Sequence, residues 1–369
     1  MATIGIIGLG TMGLGIAQVF AQSGFATIAT DAHTATRSTA RARMAQALAA
    51  RVASGKLTQP AHDATLSNLQ IVDSLPDFAP CDLVIEAIIE RADAKQALFA
   101  QLETIVSAQT ILATNTSSIP VATLAALALH PDRILALHFF NPATAMKLVE
   151  LAAHTGTNPA AVQTARTLCE VAGKTVIQCP DRPGFIVNRC ARPYYGEALA
   201  LLEQGTPAAT IDAAMQSAGY RLGPFALIDL IGADINLAAT LGLGAAMAHH
   251  PRYHAFAALH AQVAAGHLGR KSGQGFIHPA TTDPHPNPAI VLQIESTLIN
   301  EAAWLLSEGG TTQGGIDTAM TLGLNFPRGP FQALAQHGAP AILATLSALE
   351  QTAPPHLKTR YLPAPSLTD

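Results

Sequence analysis

The sequence predicts an α/β domain built on a parallel sheet, followed by an all-α region made of two related helical units. Short apolar runs alternate with helical stretches over the first half of the chain, as in successive β-α-β units. The second half is rich in alanine and has few strand signals. A pattern of glycines, acids and apolar residues also occurs twice in that half. With 369 residues, of which 49% are hydrophobic, the chain can bury more than one core.

Five strands are expected in the first half, each a short apolar run bounded by turn residues. They are Thr3–Ile7, Phe25–Thr30, Leu83–Glu86, Thr110–Ala113 and Ile134–His138. The character of the chain changes at Asp181-Arg182-Pro183-Gly184, after which helical patterns dominate. The α/β domain is therefore expected to span residues 1–182.

The helical half contains a diverged internal repeat. Glu197, Gly205, Asp212 and the Gly223-Pro224-Phe225 turn recur 104 to 106 residues later as Glu301, Gly309, Asp317 and Gly329-Pro330-Phe331. Each copy is expected to be a small helical unit with an Asp-led second helix, the first over residues 183–283 and the second over 284–369. A stiff, proline-rich segment over residues 283–288 links them. Leu292 takes the place that Asn188 has in the first copy, so the second copy is expected to be structural.

A glycine-rich turn near the N-terminus predicts a dinucleotide site. Gly8-x-Gly10-x-x-Gly13, with Thr11 and Met12 inside it, follows a strand and opens the apolar helix around Ile16–Ala21. This arrangement is typical of a Rossmann-type domain, in which the helix amino end binds the pyrophosphate. Asp31 ends the next strand, where a carboxylate bonds the ribose diol and repels a 2′-phosphate. NAD is therefore expected; Arg37 could favour NADP, and a helix cap is the alternative for Asp31.

Composition argues against several classes of protein. The net charge is −4 without basic blocks, so no nucleic-acid partner is expected. No unbroken run of 18 apolar residues and no charged leader occurs, so neither a membrane span nor a signal peptide is expected, and a cytoplasmic location is expected for the chain. The four scattered cysteines are interpreted as buried small side chains, and no metal site is expected, since the spacing of His250 and His254 fits a surface helix better.

A histidine and a carboxylate dominate the motifs after residue 115. His138 ends a predicted strand, Glu150 lies on the next apolar segment, and Ser117 and Ser118 follow the preceding strand. Oxidation of an alcohol releases a proton together with a hydride, and imidazole titrates near working pH. A partnered carboxylate would fix its tautomer. The pattern therefore predicts general acid–base catalysis at the carboxyl edge of the sheet.

Six ordered motifs make the chain similar to the L-3-hydroxyacyl-CoA dehydrogenase family, from Thr3 to about Phe276. They begin at Gly8, Asn115, His138, Met146, Asp181 and Leu268. The resemblance implies reversible, NAD-dependent oxidation of an (S)-3-hydroxyacyl-CoA without a metal. It implies His138 as general acid/base, Glu150 as its partner, and Ser117 and Asn188 as ligands of the C3 oxygen or the thioester. The cofactor contacts that it implies are the glycine loop, Asp31, Glu90, Lys95 and Asn115.

Some alternatives stay open. Arg91 stands where the family commonly has asparagine, which makes the local cofactor contacts less certain. Lys56 is either a CoA phosphate contact or a solvated lysine, and Lys271 is interpreted as structural. Many family members stop after one helical unit and dimerise through it, so here the second unit could replace a dimer partner, giving a monomer or a homodimer. The rival functions are an L-gulonate or carnitine 3-dehydrogenase and a non-enzymatic dinucleotide sensor.

Overall fold

The computed structural model describes residues 2–280, 283 and 285–368. The chain divides into two compact units, Met1–Arg182 and Pro183–Asp369, which are described separately below. Pro284, in the expected linker, lies outside the described residues, so the division between the two helical copies stays a prediction.

The first unit is built on an eight-stranded sheet with the order β3-β2-β1-β4-β5-β6-β7-β8. Neighbouring strands run parallel except β6 and β7, which are antiparallel. The strands are β1 Thr3–Ile7, β2 Ala26–Thr30, β3 Leu69–Ile71, β4 Leu83–Glu86, β5 Ile111–Thr114, β6 Ile134–Phe139, β7 Leu148–Ala153 and β8 Thr175–Pro180. The five expected strands are present within one residue at each end, whereas β3, β7 and β8 were not predicted as strands.

Helices accompany this sheet, and its central strands are buried along their whole length. Such burial is typical of parallel sheets and explains why these strands are continuous apolar runs and do not alternate. The helices are α1 Thr11–Gln22, α2 Thr34–Ala53, α3 Gln59–Ser67, α4 Ala92–Glu103, α5 Val121–Ala125 and α6 Pro159–Val171. Together these elements confirm the expected Rossmann-like architecture.

The second unit is helical. It contains α7 Val187–Cys190, α8 Arg192–Glu203, α9 Ala208–Ser217, α10 Pro224–Ile231, α11 Ala233–Ala246, α12 Ala257–Ala264, α13 Pro288–Ser307, α14 Gln313–Leu324, α15 Pro330–His337 and α16 Ala339–Thr352. By length and composition alone α13 could cross a membrane, as could α10 and α11 taken together across a 100° bend. However, 72% of the apolar stretch of α13 is buried within the structure, and the helix carries buried Glu295 and Glu301. It is a core helix of this unit.

The two Gly-Pro turns are built in the same way. The carboxylate of Asp212, in α9, accepts the backbone N–H groups of Phe225 and Ala226 at 2.9 and 2.7 Å. The carboxylate of Asp317, in α14, accepts those of Phe331 and Gln332 at 2.8 and 3.2 Å. The two acids are therefore caps, as expected, but each caps the following helix. The prediction of an Asp-led helix was wrong, because each Asp is the fifth residue of its own helix.

Two buried glutamates join the copies reciprocally. Glu197, in the first copy, accepts hydrogen bonds from second-copy residues, namely Gln293, Arg360 and Tyr361 at 2.8, 3.3 and 3.2 Å. Glu301, in the second copy, is bonded by Arg189 and Tyr253 of the first at 2.7 and 2.6 Å and pairs with Arg252 at 2.8 Å. Such reciprocal contact is the mark of a two-fold interface. Here it occurs within one chain.

Candidate active site

The glycine loop has the close backbone packing that a dinucleotide site needs. Gly8 has φ +94°, and a Cβ on Gly13 would lie 1.7 Å from the Gly8 carbonyl oxygen. By contrast, nothing lies within 4 Å of a Cβ placed on Gly10. Thr11 and Met12 form the first turn of α1, which contains no acidic side chain. The N–H groups at this helix end and the open space beside Gly10 fit a pyrophosphate.

Asp31 lies just after β2, beside the glycine loop. Its two carboxylate oxygens accept the backbone N–H groups of Leu9 and His33 at 2.7 and 2.8 Å. A carboxylate has about four acceptor positions, so it can also receive a ribose diol. Arg37 is bonded to Asp73 and to the Asp31 carbonyl at 2.8 and 2.7 Å. Its guanidinium is engaged within the protein, which removes the main argument for NADP.

Strand pairing brings the predicted acid–base pair together. β6 and β7 are antiparallel with His138 directly opposite Glu150. The His138 Nδ1 lies 2.7 Å from Glu150 Oε2, and the two residues are 7% and 0% exposed. A carboxylate of this kind accepts a hydrogen bond, so the contact fits a tautomer in which Nδ1 carries the hydrogen. The arrangement has the features of a general base oriented by a buried acid.

The segment after β5 is tied to both neighbouring strands. The Asn115 side-chain oxygen accepts the Phe139 N–H at 2.8 Å, and the Asn115 N–H donates to the Glu86 carbonyl at 2.9 Å. Ser117 is partly exposed, and its N–H donates to Glu90 at 3.2 Å. The sheet thus fixes the backbone that carries the predicted Ser117 hydroxyl.

Glu90, which is exposed, and Lys95, which is buried, belong to an ionic network that the sequence did not predict in full. The Lys95 ammonium lies 2.8 and 2.9 Å from the Glu86 oxygens and 3.2 Å from Glu90. Thr116 and Ser118 donate hydroxyl hydrogen bonds to Glu90. Burial acts to raise the pKa of Glu90, but the Thr116 bond and the Lys95 charge outweigh it and lower the pKa.

This placement qualifies the expected role of Lys95. Its side chain is only 1% exposed and its ammonium faces two carboxylates, so it serves here as a buried counter-ion. A direct contact with a cofactor would require this ion pair to open. The sequence analysis did not single out Glu86. A charged residue at the last position of a fully buried strand could have indicated a buried ionic contact there.

The positions of the remaining candidate residues do not by themselves indicate a contact with substrate. Asn188 lies in α7 of the second unit, partly buried, and Lys56 lies in the exposed turn between α2 and α3. Their contacts with substrate stay predictions. Lys271 pairs with Asp234, and the Asp229 carboxylate accepts the N–H groups of residues 276–278, which gives the motif beginning at Leu268 a structural role.

Two minor expectations can be compared with the structure. Pro251–Tyr253 form a short 3-10 turn in which His250 bonds the Arg252 N–H, so the surface helix expected there is absent. All four cysteines are buried. Among residues 2–280, 283 and 285–368, no cluster of three or more His, Cys, Asp or Glu side chains could hold a metal ion.

Comparison with known families gives matches along almost the whole chain. Residues 3–182 match the model described as 3-hydroxyacyl-CoA dehydrogenase, NAD binding domain. Residues 184–278 and 290–368 match the C-terminal domain of 3-hydroxyacyl-CoA dehydrogenase. The first of these matches establishes NAD as the cofactor.

Individual relatives carry names of the same kind. A 3-hydroxyadipyl-CoA dehydrogenase of Escherichia coli is 43% identical over 74% of this chain. The matched region spans only 58% of the length of that protein. A probable 3-hydroxybutyryl-CoA dehydrogenase of Deinococcus radiodurans is 40% identical over 74% of this chain and 98% of its own. The crystal structure of an E. coli 3-hydroxybutyryl-CoA dehydrogenase has a TM-score of 0.92 at 32% identity, covering 100% of this chain and 97% of that one.

Proposed function

We propose that this chain, which belongs to the 3-hydroxyacyl-CoA dehydrogenase family, oxidises an (S)-3-hydroxyacyl-CoA reversibly to the 3-oxoacyl-CoA with NAD. The observation that carries the proposal is the hydrogen-bonded pair of His138 and Glu150, held opposite each other by two strands. The names of the relatives favour a CoA thioester over a free hydroxy acid of the gulonate or carnitine type.

In the proposed mechanism, His138 Nε2 takes the C3 hydroxyl proton while Glu150 stabilises the imidazolium through Nδ1. NAD supplies the hydride acceptor. Ser117 and Asn188 would donate hydrogen bonds to the oxygen that gains negative charge, and such bonds act most strongly in the transition state. In the reverse direction His138 returns the proton to the alkoxide.

The proposal is tested by following NADH oxidation with acetoacetyl-CoA. Substituting His138→Gln is expected to lower kcat by about 10²–10⁴-fold, because the ring that exchanges the proton is lost. His130→Gln, at an exposed histidine of the same unit, is the matched control and should retain turnover. Undiminished turnover in the His138 variant would refute the assignment. A wild-type chain that binds NADH without reducing any 3-oxoacyl-CoA would favour the sensor.

We also infer that the second helical copy takes the place of a partner subunit. Two observations support this: the reciprocal Glu197 and Glu301 contacts, and the lengths of relatives. The crystal structure of an (S)-3-hydroxybutyryl-CoA dehydrogenase from Ralstonia eutropha matches over 98% of its own chain but only 75% of this one. The expected result of sedimentation is a monomer. An obligate dimer built on the first copy would overturn the inference.

The cytoplasm is the compartment we propose, because the relatives compared above that share this reaction name are bacterial enzymes of NAD and acyl-CoA chemistry. Fractionation of cells that express the tagged chain would test this.

A further inference from the structure

A group of three ionic side chains lies near the carboxyl ends of β4 and β5. This Glu86–Lys95–Glu90 triad contains two carboxylates and one ammonium. Glu86 and Lys95 are almost fully buried, whereas the Glu90 side chain is 42% exposed. A buried ammonium needs a close counter-ion, so the position of Lys95 depends on Glu86.

The two glutamates differ in what they hold. Glu86 is used entirely inside the protein, where it binds Lys95, the Thr114 hydroxyl and the Ile88 N–H. Glu90 binds Lys95 with one oxygen and the Thr116–Ser118 segment with the other. A continuous path of contacts therefore runs from Glu86 through Lys95 and Glu90 to the segment that carries Ser117.

The same strand end also contacts the glycine loop. Ala87, which follows Glu86, donates its N–H to the Ile7 carbonyl at 2.7 Å. Its own carbonyl oxygen would lie 2.6 Å from a Cβ on Gly8. A shift of Glu86 would consequently reach both the glycine loop and the serine segment.

We propose that Glu86 is a positioning residue that holds the Lys95 ammonium, and through it the Glu90 carboxylate, so that the dinucleotide-binding edge is formed before NAD arrives. The inference rests on the proposed dehydrogenase function for its choice of ligand. The Glu86 side chain is fully buried, so its proposed effect on the cofactor is indirect. Without its charge, the ammonium has Glu90 as its one remaining partner in the triad and draws that carboxylate away from Thr116 and Ser118.

The test is Glu86→Gln, which removes the charge and keeps one oxygen acceptor for Thr114, while its NH2 replaces the oxygen that accepts the Ile88 N–H. The readouts are the Kd of NADH by fluorescence titration and the Tm. We expect the Kd of NADH to rise by about tenfold, the lower end of the loss that follows removal of a supporting contact around a bound metal. The matched control is Glu103→Gln, a buried glutamate at the other end of α4 that pairs with Arg133 at 3.7 Å. It should lower the Tm and leave the Kd of NADH unchanged.

A double-mutant cycle separates positioning from simple stabilisation. On a Lys95→Met background, Glu86→Gln should change the Kd of NADH by less than about twofold, because the charge of Glu86 acts through Lys95. Two results would overturn the proposal: a Glu86 variant that loses Tm but keeps its Kd, or a full additional effect on the Lys95→Met background. If the wild-type chain binds NADH but does not turn over acyl-CoA, the proposed function is refuted and this inference is not.

Discussion

The two helical copies share their capping acids and their reciprocal glutamates, yet they are unequal in charge and in polar groups. Arg189, in the first copy, pairs with Glu301 and also with Glu308 at 2.8 Å. The second copy has Gln293 at the place that corresponds to Arg189, and the first copy has Gln204 at the place that corresponds to Glu308. The first copy also has Asn188 where the second has Leu292. A duplicated fold can therefore keep its packing while the two copies diverge in their charged and polar groups.

The largest expected effect concerns the two reciprocal glutamates. Glu301→Gln leaves Arg252 and part of Arg189 without a counter-ion inside the unit, and breaking a buried pair costs about 3–5 kcal/mol. Glu197→Gln should cost less, because Gln293 and Tyr361 are neutral and only Arg360 loses a charge partner. Denaturant unfolding of both variants measures the difference. Equal losses would mean that the interface is energetically symmetric.

The next effect separates the polar position from its apolar counterpart. Asn188→Ala should lower kcat by about 10²–10³-fold if Asn188 binds the developing oxyanion, as loss of such a donor does elsewhere. Leu292→Ala should leave kcat near the wild-type value and reduce the free energy of unfolding by about 2 kcal/mol, because Leu292 packs against the core. Steady-state kinetics and unfolding decide this together. A kinetic defect in the Leu292 variant would contradict the structural reading of the second copy.

The smallest expected effect is a pH dependence. Burial raises the pKa of Asp212 to about 7, although two backbone N–H groups act to lower it. A carboxyl whose folded-state pKa is raised stabilises the fold at low pH, and this contribution is lost as the pH rises toward 7. Asp212→Asn should flatten the decline of the unfolding free energy between pH 4 and 7, because the residue no longer titrates. Asp317→Asn should flatten it less, because its less buried carboxyl has a smaller burial penalty to remove. A steeper decline in the Asp212 variant would reverse the assignment.

Local signals in the sequence were sufficient for much of the first unit. The glycine loop, Asp31 and five strands follow from spacing and apolar runs, and the His138 and Glu150 motifs stood out as a pair. β7 was recognised only as an apolar segment, because a buried strand has no alternation to reveal it. Its antiparallel pairing with β6 depends on the sheet as a whole.

Features that depend on contacts between distant residues could not be predicted. Glu86 becomes informative only when Lys95 is seen folded back onto it, and Lys95 alone was interpreted as a ligand. The reciprocal glutamates appear in the sequence as a repeat, but their partners lie 48 to 164 residues away. Repetition predicted the two copies; it could not predict that each would satisfy the other's buried charge.

The pairing of β6 and β7 has a consequence for how this enzyme tolerates change. The two strands place His138 and Glu150 side by side, so a one-residue shift within either strand would turn one partner to the opposite face of the sheet. The connection between them is also held in place, because the Lys174 ammonium donates hydrogen bonds to the carbonyls of Ala143 and Met146 at 2.5 and 2.8 Å. Both strands and their connection are therefore expected to keep their length among natural or designed versions.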